Sequence, residues 1–219
     1  MKNWSYIFIL MVSISACDSA KNETAKSELG TQPLNTKLRA VLDSMGHLDQ
    51  LHRSAMGDLA DKYGWNSPQL DSLWALQSEI DESNMLLLQE IIEKHGFPGR
   101  SLVGEDGSRD AFLILQHSGD EMMDKYFELV VKAGENNELA MHRVAMFQDR
   151  VLMNRGEKQI YGTQIRSERL TNPDTGETYD SSYVWPIESP AEVNERRLSV
   201  GLNTPIEEYA AGFGVDYVN

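Results

Sequence analysis

Residues 67–98 read SPQLDSLWALQSEIDESNMLLLQEIIEKHGFP, and their pattern sets the class of fold. Ser67 followed by Pro68 is a helix start. The serine oxygen can accept a first-turn N–H, and proline fits the first helical position, where no N–H is needed. Leu73, Ile80, Leu87, Leu88 and Ile91 then recur at the helical period, so one side of the segment is apolar. Gly96 and Pro98 stop it after His95. The spacing predicts one helix over 68–95. An amphipathic helix of this length draws its stability from burying its apolar side, so it calls for other helices around it.

The same period continues on both sides. Residues 36–63 carry Leu38, Val41, Leu42, Met45, Leu48, Ala55, Met56 and Leu59 on one side, and Gly64 follows. This predicts a continuous helix over 36–63. The segment FPGRSLVGEDGS, residues 97–108, reads as a loop. Three further helices are expected over 109–118, 120–133 and 138–154, the first all apolar across residues 111–115. Beyond residue 157 the composition turns to Tyr, Ile, Thr, Val and Trp. Asn172-Pro173-Asp174-Thr175-Gly176 is a turn cluster, which predicts a β-hairpin over 158–186. Tyr179, Ser181, Tyr183 and Trp185 share one face of its second strand, expected to pack on the helices. Pro190 and Pro205 open two short C-terminal helices. The expectation is a mostly α fold: a bundle of about five main helices with one β-hairpin and short C-terminal helices, forming a single domain over 36–219.

Residues 1–17, MKNWSYIFILMVSISAC, have the form of an export signal. Lys2 supplies the positive start and residues 6–12 the apolar run, which is too short to span a bilayer. Ile14-Ser15-Ala16-Cys17 resembles a bacterial lipobox, and Cys17 is the chain's only cysteine. Lipidation of Cys17 would anchor the protein to a membrane of the bacterial cell envelope. An ordinary signal peptide or a buried N-terminal helix is the alternative. Residues 17–35 then form a polar tether.

The chain has 34 acidic and 20 basic residues, a formal charge of −14. A field of that sign repels nucleic-acid phosphates, so nucleic acid is not an expected partner. One cysteine precludes an internal disulfide framework. No Gly-x-Ser-x-Gly, His-Glu-x-x-His, P-loop or dinucleotide fingerprint is present, and no motif names a cofactor.

Functional information lies in polar residues that interrupt apolar helical sides. His52 falls in the stripe of 36–63, with Asp49 and Arg53 at its margin. Asn84 falls in that of 68–95, with Gln77, His95 and Asp81 leaning the same way. Gln116 and His117 close the apolar third helix, and Gln148 lies among Val144, Val151 and Leu152 with Asp149 and Arg150 beside it. A buried polar group without a partner costs about 1–3 kcal/mol. Several helices each donating one suggest that these groups meet one another, water or a ligand. Either a register-fixing network or a ligand site follows. The segment Gln159-Ile160-Tyr161-Gly162-Thr163-Gln164 falls on the first hairpin strand, where glycine weakens a strand unless something approaches the backbone closely. Arg196 and Arg197 could hold a carboxylate or phosphate, or form helix-surface ion pairs.

AFLILQHSGD, FQDRVLMNRGEKQIYGTQ and VNERRLSVGLNTPIEEY together resemble an uncharacterised bacterial family of domains of unknown function. The shared pattern comprises Asn84, the turn Gly96-Phe97-Pro98, Gln116-His117, Asp149-Arg150, the segment Gln159 to Gln164, and Arg196-Arg197. The resemblance implies a site but no activity.

Three functions fit these residues. In the first, a cleft between helices and hairpin binds a small polar or peptide-like ligand. Asn84, Gln116, Gln159, Tyr161, Thr163, Gln164, Arg196 and Arg197 contact it, with Tyr161 and Trp185 at the edge. In the second, the site is hydrolase-like: His117 is a general base oriented by Asp149, and Arg150 or the backbone at Gly162 stabilises an oxyanion. A metal-assisted variant would use Asp49, His52 and His117 as a mixed nitrogen and oxygen ligand set. In the third, the protein is a structural or assembly lipoprotein with a purely structural network.

Overall fold

A computed structural model describes residues 33–64 and 67–218. The signal sequence, Cys17 and most of the tether lie outside the described residues. The elements are α1 (Thr36–Gln50), α2 (Arg53–Tyr63), α3 (Pro68–His95), α4 (Arg100–Gln116), α5 (Asp120–Glu135), α6 (Met141–Asn154), β1 (Ile165–Thr171), β2 (Thr178–Val184), a 3₁₀ turn (Pro190–Glu192), α7 (Val193–Ser199) and α8 (Ile206–Ala211). The fold is mostly helical with one antiparallel hairpin, as the patterning predicts.

α3 spans the full predicted length. Ser67 Oγ accepts the Leu70 N–H, and Gly96 closes the other end with φ of 71°. α1 packs chiefly on α4, α5 on α6, and α3 against α1 and α4. Their shared core includes Leu42 and Met45 of α1, Leu88 and Ile92 of α3, and Phe112 and Leu115 of α4. Phe112 meets Phe147 of α6 edge-on, with ring centroids 6.4 Å apart. A second, smaller core of Ile187, Val193 and Ile206 lies in the C-terminal segment.

Several expectations change. The helix over 36–63 is two helices, parted at Leu51 and His52. Val41 and Leu48, placed by periodicity in the stripe around His52, are about 40% exposed (40% and 42%), so the buried side of α1 is rotated from that reading. The predicted loop 97–108 is mostly helix. α4 begins at Arg100 and bends at Gly104, whose φ of 81° lies in the left-handed region that favours glycine. Glycines and charges there resemble loop composition, yet Val103, Gly107 and Ser108 are buried against the bundle.

The hairpin is shorter than 158–186. Its register runs from Ile165 opposite Val184 to Thr171 opposite Thr178. Asn172 Oδ1 accepts N–H groups of Asp174 and Thr175, which folds the turn as predicted. Residues 159–164 are not on the first strand; Gln159 makes an isolated parallel bridge with Ile187. The aromatic face packs on itself: Tyr183 stacks on Trp185, and Arg166 lies over the indole. Tyr179 is half exposed.

Candidate functional site

His117 is the C-cap of α4, at the turn into α5. Its Nδ1 lies 2.9 Å from both carboxylate oxygens of Asp49. Asp49 sits in the last turn of α1 and is 1% exposed. Burial works to raise the Asp49 carboxyl. The hydrogen bond and charge of His117, with Arg53 and Gln50, outweigh it and hold the group below the usual carboxylate value. An ionised carboxylate only accepts, so Nδ1 of His117 carries a proton. Nε2 is then the nitrogen open to other partners.

The α1–α2 break builds the support of this pair. The Asp49 carbonyl, freed where the helix parts, accepts Arg53 NH1 at 2.6 Å. The His52 N–H is taken by Gln77 Oε1 of α3 at 3.2 Å. Gln77 also donates to Asp81 at 2.8 Å, and Arg53 grips Asp81 through both terminal nitrogens at 2.9 and 2.6 Å. Asn84 donates to the Met45 carbonyl at 3.0 Å. The Asp49 carbonyl and the His52 N–H at the break therefore have side-chain partners, and Arg53 also pairs with the Asp49 carboxylate.

His117 borders an open cleft of about 360 Å³. Asp81, Glu82, Met85, Leu86 and Gln89 of α3 line one side; Ser118, Gly119 and Met122 complete it. This volume suits a small ligand.

Asp149 belongs to a second set. It is fully buried on α6 and accepts the N–H groups of Ile160, Tyr161 and Thr163 and the Thr163 hydroxyl, at 2.7 to 3.0 Å. Burial pushes its carboxyl up, while these donors pull against that shift. The carbonyls of the same loop face arginines. Arg196 donates to Ile160, and Arg197 to Tyr161 and Gly162. Arg196 also bonds the Glu188 and Ser189 carbonyls. The loop is thus clamped between an anion on its N–H side and cations on its carbonyl side. Gln159 exchanges hydrogen bonds with the Gln164 backbone, and Arg150 donates to the Gln164 side chain. At Gly162, with φ of 68°, a Cβ would stand 2.8 Å from Ile206 and 2.9 Å from Ile187. Close approach does explain that glycine, but the approaching groups are side chains of the smaller core.

The predicted residues therefore gather in two places. Asn84, Asp49 and His117 join through α1 and α3; Asp149, Arg150, Gln159, Tyr161, Thr163, Gln164, Arg196 and Arg197 join around the 159–164 loop. No hydrogen bond or ion pair links the two sets among the described residues. His117 is oriented by Asp49 and not by Asp149. Gln116 is buried, and its Oε1 has no partner among the described residues. His52 lies at the helix break, half-buried and apart from the dyad's bond. No three His, Cys, Asp or Glu residues among the described ones are placed to hold a metal ion together.

The matched segment covers residues 36–217. The chain belongs to a family of unknown function, DUF6624. No curated protein and no solved structure matches it. The DUF6624 segment begins at the first residue of α1 and so contains both polar sets. Sequence reading gave Asp49 a metal-binding role or an ion pair with Arg53, of which the structure contains the ion pair at 3.4 Å, and missed Glu82, Gln89 and Met122. Asp49 and His117 are 68 residues apart, so no local spacing announces their pairing. The helix break at Leu51 and His52 carries no Gly or Pro to betray it.

Proposed function

We propose that this protein is a lipid-anchored envelope enzyme that binds a small ligand in the α3–α5 cleft and transfers protons through His117. One observation carries the reading. A histidine on an open cleft has one ring nitrogen fixed by a buried, ionised aspartate. That arrangement sets the tautomer and orientation of the imidazole and stabilises the imidazolium once a proton is taken. Nε2 is the basic atom. Ser118, the adjacent hydroxyl, donates to the Leu115 carbonyl at 2.7 Å and is not bonded to His117. Water is therefore the nucleophile that fits a hydrolytic step, with Nε2 receiving its proton.

The Asp149 set uses its hydrogen-bonding capacity on its own loop, which fits a structural role there. The anchor rests on Cys17 in its lipobox-like setting.

The test is hydrolysis of a panel of small esters and amides by the full chain, with His117→Gln and Asp49→Asn beside it. His117→Gln is expected to lower the rate about 10²–10⁴-fold, with its circular dichroism unchanged. If the wild type turns over nothing in the panel, and His117→Gln only lowers the melting temperature, the histidine is structural.

A further inference from the structure

Every polar side chain on the cleft wall presents a hydrogen-bond acceptor. Asp81 and Glu82 are carboxylates. Ser118 spends its hydroxyl proton on the Leu115 carbonyl, which leaves its oxygen lone pairs. Gln89 directs its amide nitrogen to Met122 Sδ at 3.3 Å and keeps its carbonyl oxygen open. His117 gives its Nδ1 proton to Asp49, so the neutral ring offers a lone pair at Nε2. No lysine or arginine is among the residues lining the cleft. Arg53, the cation behind Asp81, has both terminal nitrogens engaged by that carboxylate. The rest of the wall is apolar, and Leu86 is 66% exposed at its edge.

The geometry points to a ligand with a short apolar body ending in a protonated amine and bearing no carboxylate. This assignment deepens the reading of His117 as the base of the same cleft and rests on it. An ammonium group supplies three donors to a wall of acceptors and faces the charge of Glu82, which no basic side chain neutralises in an ion pair among the described residues. Met85, Leu86 and Met122 cover the apolar body; methionine adapts to irregular aliphatic shapes. A carboxylate or phosphate would meet the charge of Glu82 and find only the second amide proton of Gln89 as a side-chain donor. Amine-bearing esters or amides without a free acid are the substrates that satisfy both the wall and the base.

The experiment titrates the full chain with hexylammonium, hexanol and hexanoate, read by calorimetry and by the ¹⁵N shifts of the His117 imidazole. Hexylammonium is expected to bind about three- to tenfold more tightly than hexanol, with hexanoate weakest. Glu82→Gln should bring the amine and the alcohol close to parity. Equal binding of hexanoate, equal binding of hexanol to the wild type, or no response of His117 to any of the three overturns the assignment. The two readings fail separately. An amine preference retained in a wild type that hydrolyses nothing supports the ligand class and removes the catalytic reading. His117-dependent hydrolysis that treats neutral esters as well as aminoesters keeps the base and removes the ligand class.

Discussion

Asp49 and Asp149 are both buried, and their surroundings drive them in opposite directions. Asp49 accepts from His117, Arg53 and Gln50, and these donors outweigh the burial that would raise its carboxyl. Asp149 accepts hydrogen bonds only from neutral donors, and burial dominates. The sign of the pH effect follows. The folded-state Asp49 carboxyl lies below its ordinary value of 3.8, so an unfolded chain takes up that proton first as pH falls. Its contribution to stability is present above that value and is lost as pH drops through the lower folded value. The stability difference between wild type and Asp49→Asn should therefore be full at pH 6 and shrink below pH 3.8, as followed by urea unfolding at several pH values. A difference that grows on acidification contradicts the His117 pairing. Asp149→Asn keeps one acceptor oxygen and places an amide N–H₂ against the donors that meet the other. It should cost about 2–4 kcal/mol of unfolding free energy, measured at neutral pH. A cost below about 0.5 kcal/mol, the range of ordinary surface changes, would show that the 159–164 loop does not depend on this carboxylate.

The break between α1 and α2 shows how an element boundary can be set by a neighbour. Nothing in GHLDQLHRSAM ends a helix: no proline is present, and glycine stands well before the break. The chain parts because Gln77 of α3 takes the His52 N–H and Arg53 takes the Asp49 carbonyl. Gln77→Leu removes both of that side chain's bonds while keeping its bulk. It should cost about 1–3 kcal/mol and lower hydrolysis by loosening Asp49. Urea unfolding reads the first effect and kcat at fixed pH the second; an unchanged kcat would separate the break from the site. The hairpin makes the reverse point. Its turn and register follow from Asn172 to Gly176 locally. Its attachment does not: Trp185 Nε1 donates to the Glu157 carbonyl at 2.6 Å, and Val184 packs on the smaller core.

At the scale of the whole molecule, a large helical core and a small C-terminal one divide the polar residues between them. The helical core carries the dyad and the open cleft; the smaller core carries the clamped loop. Among the described residues no helix is long and apolar enough to cross a membrane. In the proposed arrangement the anchor is Cys17. Cys17→Ser should abolish palmitate labelling and move the protein from the membrane to the soluble fraction, with melting of the helical domain unchanged. Continued labelling of that variant would end the lipobox reading.

Sequence alone determined the class of fold, the extent of α3, the hairpin turn and which residue types stood out against apolar patterning. These depend on period, capping and turn chemistry, which act over a few residues. Tertiary structure decided where α1 ends, that residues 100–108 are helical, and that the polar residues form two sets and not one. It also chose Asp49 over Asp149 as the partner of His117. Periodicity tells which side of a helix a residue faces, but the partner on that side is fixed by how helices distant in sequence pack against one another.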